Sequence, residues 1–333
     1  MIKVMYVGRN PAYSDLIAEM LPKDRFEFAV RPQLIRDDDE DTLIEVCKDA
    51  DAVICDYQIF NKRVIDALPK LKLIQFNSIG FNYVDLNYAT SKKIAVANCP
   101  TYCTNEVADH AVALTLAINR RLFEYARAIH ERGEWKATTQ VNMHCMNELK
   151  IGILGFGAIP RLIARRLLGF GSEVSAYDPY VDQETMAQHG VIKKDFDAFL
   201  SESDYIICNV PAFPSTIHML NKEAFDKCKD GVVFVNTSRG NIPVEADLIE
   251  ALRSGKIAFA GLDVLDGEQI DPKTNPLCNM DNVIVTPHAG FFSSSSQRKS
   301  RIEAGQSLLS FFNGDFEHAA VRNGIREIRP AEE

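Results

Sequence analysis

KIGILGFGAIPRLIARRLL (150–168) carries the deciding pattern: a short apolar run, a turn built on Gly155-Phe156-Gly157, and an amphipathic segment. Across the two glycines the spacing of apolar residues changes from that of a strand to that of a helix. Such a turn offers the tight bend and close backbone approach that a dinucleotide pyrophosphate requires, and the helix N-terminus adds unpaired N–H groups and a positive dipole end. Twenty-one residues past Gly157, at the end of the next apolar run, stands Asp178 in AYDPY. A carboxylate there accepts hydrogen bonds from both ribose hydroxyls of NAD and repels the extra phosphate of NADP, and no Arg follows it within ten residues. Glycines in a strand-to-helix turn have a plain structural use as well. The ordered succession of strand, GxG, helix, strand and acidic end is what points to a nucleotide. One position departs from the full fingerprint: Pro160 stands where a third glycine normally lets the helix lie close to its strand. Proline is tolerated in a first helical turn, so a slight shift of the helix is expected, with cofactor affinity weakened or unchanged.

Outward from this stretch, the chain reads as two alternating series. From Lys150 the runs KIGILGFG, GSEVSAYD, DYIICNV, DGVVFVNTS, KIAFAGLDV and NVIVTPHAG alternate with helical segments, which describes a complete doubly wound unit of six strands. Before it, IKVMYVG (2–8), FEFAV (26–30), DAVICDY (51–57), LKLIQFN (71–77) and KIAVANC (93–99) describe a second parallel sheet covered on both faces. One long amphipathic pattern from Thr104 to about Arg132 joins the two. The last helical stretch, QRKSRIEAGQSLLSFFNG, is too short to be a domain and is expected to pack back on the first, and the serines at 293–296 mark a turn or a helix start. The α/β chain therefore divides into a discontinuous domain, 1–99 and 291–333, and an inserted one, 100–290.

Composition excludes several classes. A formal net charge of -9 over 333 residues leaves no basic stripe for a nucleic-acid partner. The eight cysteines, at 47, 55, 99, 103, 145, 208, 228 and 278, form no CxxC pair and no zinc-like cluster with His, so no metal is expected and thiols in a reducing cytoplasm are the plain reading. MIKVMYVGRN lacks the apolar segment of a signal peptide, and no stretch approaches the roughly 20 apolar residues of a membrane span.

Three polar residues sit at the ends of later apolar runs, the edge where a doubly wound sheet presents its ligands: Arg239 ends FVNTSRG, Glu268 follows GLDVLDG, and His288 ends VIVTPH. Each alone has an ordinary reading, as a surface cation, a turn residue, or a histidine behind a proline. Together they supply what hydride transfer at a 2-oxo acid needs: a fixed cation, a proton donor with a pKa near neutrality, and an anion that keeps the donor charged.

The succession SIGFNYVDL (78–86), VANCP (96–100), NEVADHAVALTLAINRRL (105–122), GEW (133–135), IGILGFGAI (151–159), AYDPY (176–180), VNTSRG (235–240), ALRSGKIAFAGLDVLDGE (251–268) and NVIVTPHAG (282–290) resembles the NAD-dependent D-isomer-specific 2-hydroxyacid dehydrogenases along essentially the whole chain. The resemblance implies two doubly wound parallel-sheet domains, a Rossmann NAD-binding domain inserted in a discontinuous flavodoxin-like substrate domain. It also implies reversible reduction of a 2-oxo acid to an (R)-2-hydroxy acid, with Arg239 holding the substrate, His288 as general acid/base, and Glu268 paired with His288. By the same resemblance the backbone of Ser78, Ile79 and Gly80 receives the substrate carboxylate. The cofactor meets Gly155, Gly157, Ala158 and Ile159 at the pyrophosphate and Asp178 at the ribose. Val210, Pro211 and Thr216 lie on its adenosine side, with Thr237, Ser238, Asp263 and His288 near the nicotinamide. A homodimer formed through the NAD-binding domain is implied as well. Apart from the resemblance, a discontinuous outer domain hinged on the long linking helix is expected to close over substrate and cofactor.

Besides Pro160, the chain departs from the family at Gln269, where proline is usual, in a shortened segment between Trp135 and Lys150, and at Phe291-Phe292, where small residues are common. None removes a group from the reaction. Two other readings stand beside the enzyme: an NAD-sensing, corepressor-like regulatory protein, which fits the aromatic pair and the irregular dinucleotide loop, and a paralogue with weakened cofactor binding. Phe81, Tyr83, Tyr102, Phe291 and Phe292 line a substrate pocket or belong to the core, and the acid itself is not specified.

Overall fold

Runs of four to six β-branched and aliphatic residues cannot bury both faces alone, so they pair in parallel and are covered by the helices between them. In the computed structural model, which describes residues 1–31, 39–137, 143–267 and 270–330, this happens twice. The chain divides into Met1–Cys103 with Phe292–Glu333, and Thr104–Phe291.

In the first unit β1 (Ile2–Tyr6), β2 (Phe26–Val30), β3 (Ala52–Cys55), β4 (Leu73–Phe76) and β5 (Ala95–Ala97) form a parallel sheet in the order β2-β1-β3-β4-β5. This is the flavodoxin-like order. The helix Ser294–Phe312 packs here, and Ser293 starts it with a capping box: its hydroxyl accepts from Ser296 N at 2.9 Å, and its own N–H donates to Ser296 Oγ at 2.9 Å. Gly305 lets this helix approach Asp15–Met20, since a Cβ would lie 2.3 Å from Met20 Cε. Beyond it, Arg322 N donates to Val96 O at 2.8 Å and Asn323 Oδ1 accepts from Val96 N at 3.1 Å, which covers the β5 edge.

In the second unit β6 (Lys150–Leu154), β7 (Glu173–Tyr177), β8 (Ile192–Lys193), β9 (Tyr205–Cys208), β10 (Val232–Asn236), β11 (Ile257–Leu262) and β12 (Val283–Val285) form a parallel sheet in the order β12-β11-β10-β9-β6-β7-β8. The order reverses between β6 and β9, the switch point where such sheets open a crevice at their C-terminal edge. Alternate residues feed two cores. Ile151, Ile153, Tyr205 and Ile207 join Ala111, Leu114, Ile163 and Leu167, while Leu154, Ile206, Cys208 and Phe234 join Phe199, Leu248 and Leu252.

The structure has a seventh strand, β8, where the apolar runs described six. With two residues and no run of its own, it exists by pairing Ile192 and Lys193 with Ser175 and Ala176 at the sheet edge. The long pattern from Thr104 is broken into Thr104–Asn119 and Leu122–Arg132. At the break Arg121 has φ 52°, a conformation disfavoured for a residue with a side chain. Its guanidinium lies 3.4 Å from the centre of the Phe259 ring, and Asn119 Nδ2 donates to His144 O at 3.0 Å. Tertiary contacts set the break, which is why periodicity runs through it.

Gly152, in mid-strand, marks a close approach to β6 from the segment that holds Phe199 and Ser203: a Cβ there would stand 2.3 Å from Ser203 Oγ and 2.7 Å from Phe199 Cε2, and Phe199 is fully buried. Gly152→Ala should therefore lower stability by about 1–3 kcal/mol through overpacking, read as a lower urea midpoint at unchanged slope. An unshifted midpoint would show that the helix Phe196–Glu202 moves without cost.

Candidate active site

All seven strands of the second sheet run the same way, so the loops that follow them share one edge. At β6 that edge is the turn expected to meet a nucleotide. Gly155 has φ 94°, and a Cβ on it would lie 2.8 Å from Asn209 O and 2.9 Å from Val210 Cγ1, so glycine is required twice over. Gly157 is the N-cap of Ala158–Leu168, and a Cβ there would meet nothing within 4 Å. The backbone at this point is open to a ligand, and the N–H groups of Ala158 and Ile159 have no acceptor within the helix. Pro160 is the third helical residue and is buried. A residue there also has no intrahelical acceptor for its N–H, so the ring occupies the packed side of the first turn without costing the helix a hydrogen bond.

Asp178 follows β7 and is tied to the same turn: its Oδ2 accepts from Phe156 N at 2.8 Å and its Oδ1 from Tyr180 N at 2.9 Å. The loops after β9 and β10 are interlocked. Asn209 Nδ2 donates to Thr237 Oγ1 at 3.0 Å, and Cys208 Sγ lies 3.3 Å from Ser238 Oγ, its thiol pushed up to about 11 by burial. Past Val210, the Thr216 hydroxyl donates to Pro211 O at 2.6 Å and accepts from Phe213 N at 2.8 Å, closing that loop on itself. After β10, Asn236 Oδ1 accepts from Ser238 N and Oγ at 3.0 and 2.8 Å while its Nδ2 donates to Arg239 O at 2.9 Å. This turn sets the direction in which half-buried Arg239 leaves the sheet, and Arg239 Nη1 donates to Ser238 O at 2.7 Å. Gly240 lets the turn pass beneath the next loop, because a Cβ would overlap the Leu265 carbonyl.

Asp263 follows β11 and is 3% exposed. Its Oδ1 accepts from Thr286 Oγ1 at 2.5 Å and Ala289 N at 2.8 Å, and its Oδ2 from Gly290 N at 2.9 Å. His110 Nε2, from the helix Thr104–Asn119, stands 3.3 Å from Oδ1 and 2.8 Å from Thr286 Oγ1. Burial pushes this carboxyl up, but the hydrogen bonds from His110, Thr286, Gly290 and Ala289 outweigh it and hold the group below the ordinary aspartate value. Asp263 O also accepts from His288 N at 2.8 Å. His288 itself has φ 52° and meets the Phe291 ring edge-on at 5.9 Å. Arg239, Asp263 and His288 thus stand at the ends of three adjacent strands, β10, β11 and β12. Glu268 and Gln269 lie outside the described residues.

The first unit presents Ser78, Ile79 and Gly80 after β4. Ser78 O accepts from Cys99 N at 3.0 Å, Ile79 O from Asn98 Nδ2 at 2.6 Å, and Gly80 O from the Ser78 hydroxyl at 2.6 Å. With three carbonyls engaged, backbone N–H groups are what this loop has to offer an anion.

Residues 112–290, more than half of the chain, match the family model described as D-isomer specific 2-hydroxyacid dehydrogenase, NAD binding domain. The chain belongs to the D-isomer specific 2-hydroxyacid dehydrogenases. It is 33% identical over 321 residues to D-3-phosphoglycerate dehydrogenase of Archaeoglobus fulgidus, covering 96% of this chain and 59% of that protein. It is 32% identical over 292 residues to glyoxylate reductase of Korarchaeum cryptofilum, covering 86% and 87%. The chain thus spans little more than half the length of the phosphoglycerate dehydrogenases it matches. Its fold superposes on D-lactate dehydrogenase of Aquifex aeolicus complexed with NAD and lactic acid with a TM-score of 0.82 at 27% identity, covering 96% and 99%.

The NAD-binding domain of this dehydrogenase family member has the features the cofactor needs: an open glycine at the helix N-cap, a second glycine at positive φ, and a carboxylate fixed beside them. His110, Asn236 and Thr286 were not singled out from the sequence. Asn before Thr-Ser at a strand end is a readable turn signal, whereas a lone histidine on a helix gives no sign of what it faces.

Because the folded Asp263 carboxyl is held below its unfolded value, its contribution to stability is complete above roughly pH 4 and is lost as the pH falls through the depressed folded value. Asp263→Asn should cost about 1–3 kcal/mol at pH 7, and the gap to the parent protein should narrow as the pH is lowered toward about 3. Urea titrations across this range measure it; a gap that stays constant would mean that the charge contributes nothing.

Proposed function

We propose that the protein is an NAD-dependent oxidoreductase that interconverts a small 2-oxo acid and the (R)-2-hydroxy acid. The observation that carries this reading is the array on three adjacent strand ends, with His288 held at positive φ by the loop that Asp263 organises. Gly155, Gly157, Ala158 and Ile159 would hold the cofactor pyrophosphate and Asp178 the ribose. Val210, Pro211 and Thr216 would face the adenosine, with Thr237, Ser238 and Asp263 towards the nicotinamide. When bound, NADH supplies the hydride.

The chain's own groups do the rest. His288, as imidazolium, holds the proton destined for the developing alkoxide, and an imidazole pKa suits that task near neutrality. The Arg239 guanidinium grips a carboxylate with paired N–H donors and stabilises charge growing on the carbonyl oxygen. Glu268 would face the imidazolium and favour its charged form; family resemblance supports that role. The N–H groups of Ser78–Gly80 receive the substrate carboxylate.

Pairing with a second copy through the NAD-binding unit is part of the same reading, supported by the exposed Leu122, Phe123 and Ile129 on one helix of that unit. So is a cytoplasmic location, supported by eight unbridged thiols.

NADH fluorescence titration followed by a panel of 2-oxo acids tests the proposal. Turnover is expected; binding without turnover would favour an NAD sensor, and neither would favour a paralogue with weakened cofactor binding. His288→Gln should cut turnover by roughly 10²–10⁴-fold with NADH affinity nearly intact, the usual scale of general acid/base catalysis. Near-normal turnover in that variant would remove His288 from the chemistry. Asp178→Ala should weaken NADH binding and narrow the preference over NADPH, and equal efficiency of the parent protein with both cofactors would count against the ribose assignment.

A further inference from the structure

The Asp263 cluster contains a proton count that settles how His110 takes part. Thr286 has one hydroxyl proton, and the 2.5 Å separation from Asp263 Oδ1 assigns it to the carboxylate. Thr286 Oγ1 is then only an acceptor towards His110, and Asp263 Oδ1 is an acceptor in any case. His110 Nε2, at 2.8 and 3.3 Å from these two oxygens, must carry a hydrogen. Donors therefore run in one direction, from His110 to Thr286 to Asp263. The ring also packs on the loop itself: a Cβ on Gly290 would lie 3.4 Å from His110 Cδ2 and 2.8 Å from Asp263 Oδ2.

We propose that His110 is a positioning residue, which by donating from Nε2 to Thr286 and Asp263 pins the 286–290 loop and so fixes the place of His288. A non-glycine residue at φ 52° does not hold that conformation unaided, since the left-handed region costs roughly 1–2 kcal/mol. The surrounding bonds must impose it, and three of them converge on one carboxylate. Thr286, two residues before His288, is the point of the loop where the His110 side chain meets it. Without His110, Thr286 Oγ1 loses its donor, and the Thr286 hydroxyl is free to turn away from Asp263. The loop then keeps its main-chain bonds and loses the pin on the His288 side.

The inference rests on the reading of His288 as the acid/base, and two independent measurements separate the fates of the two. In kinetics, His110→Phe keeps a ring and removes the donor, whereas His110→Gln keeps a donor at a similar reach. His110→Phe should lower kcat for 2-oxo acid reduction by about 10–100-fold, the scale on which small misplacements of a catalytic group act, with NADH affinity changed by less than about threefold. His110→Gln should recover most of that loss. Thr286→Val should resemble His110→Phe, and the double variant should be no worse than either single one, because both remove the same pin. Wild-type kcat in His110→Phe, no rescue by Gln, or losses that multiply in the double variant would overturn the proposal. In spectroscopy, long-range ¹H–¹⁵N correlations of the parent protein should show His110 as the Nε2–H tautomer, and Thr286→Val should release it towards a mixture. This measurement needs neither turnover nor a folded His110 variant. An Nδ1–H tautomer in an active enzyme overturns the pin alone, while an Nε2–H tautomer in a protein without turnover keeps the bond and overturns the reading of function on which its purpose depends.

Discussion

A carboxylate taken out of water has to be matched bond for bond, and at Asp263 the matching ties three parts of the NAD-binding unit together. Its oxygens gather the Thr286 hydroxyl, two consecutive backbone N–H groups and the His110 ring, and its main-chain carbonyl takes the N–H of His288. Left partly unmatched, the buried charge would cost several kcal/mol. Satisfied, it makes the loop after β12 a rigid extension of β11. The candidate acid/base is thereby mounted on the sheet, with its strained backbone over-determined by neighbours, the condition under which such strain persists at functional sites.

The same edge of the sheet is organised by small backbone devices rather than by large side chains. Gly155, Gly240 and Gly290 each stand where a Cβ would strike backbone or the Asp263 carboxylate. They let the loops after β6, β10 and β12 lie against their neighbours. Asn236 and Thr216 close their own loops with side-chain bonds. Gly157 differs in having open space before it, which fits a place where the neighbour is a ligand. Pro160 fits this scheme: buried in the first turn, it fills the packed side of the helix and leaves the N–H groups of Ala158 and Ile159 facing the loop.

Much of this was legible in the sequence. The five strands of the first unit and six of the second stand out as short runs dominated by apolar residues, broken only by single polar positions such as Lys3, Glu27, Gln75 and Ser175. The position of the GxG turn, Asp178, Arg239 and His288 at strand ends was legible because a polar residue directly after an apolar run is already placed at the C-terminal edge of a parallel sheet. The two-residue β8 and the break at Arg121 were not legible. β8 has too little apolar sequence and depends on its neighbour, and the break depends on Phe259, which lies more than a hundred residues away in the chain.

The sequence by itself determined the family and the two-sheet architecture, since strand periodicity, glycine placement and residue chemistry are local properties. Tertiary structure alone decided how the polar groups at the strand ends are held. Asp263 reads in sequence as a strand-end carboxylate near a cofactor; folded, it is the buried anchor of the His288 loop. His110 reads as one of several polar residues on an amphipathic helix; folded, it meets Thr286, 176 positions later. Hydrogen bonds between distant segments form only when packing brings donors and acceptors within about 3 Å, and no local pattern encodes that proximity.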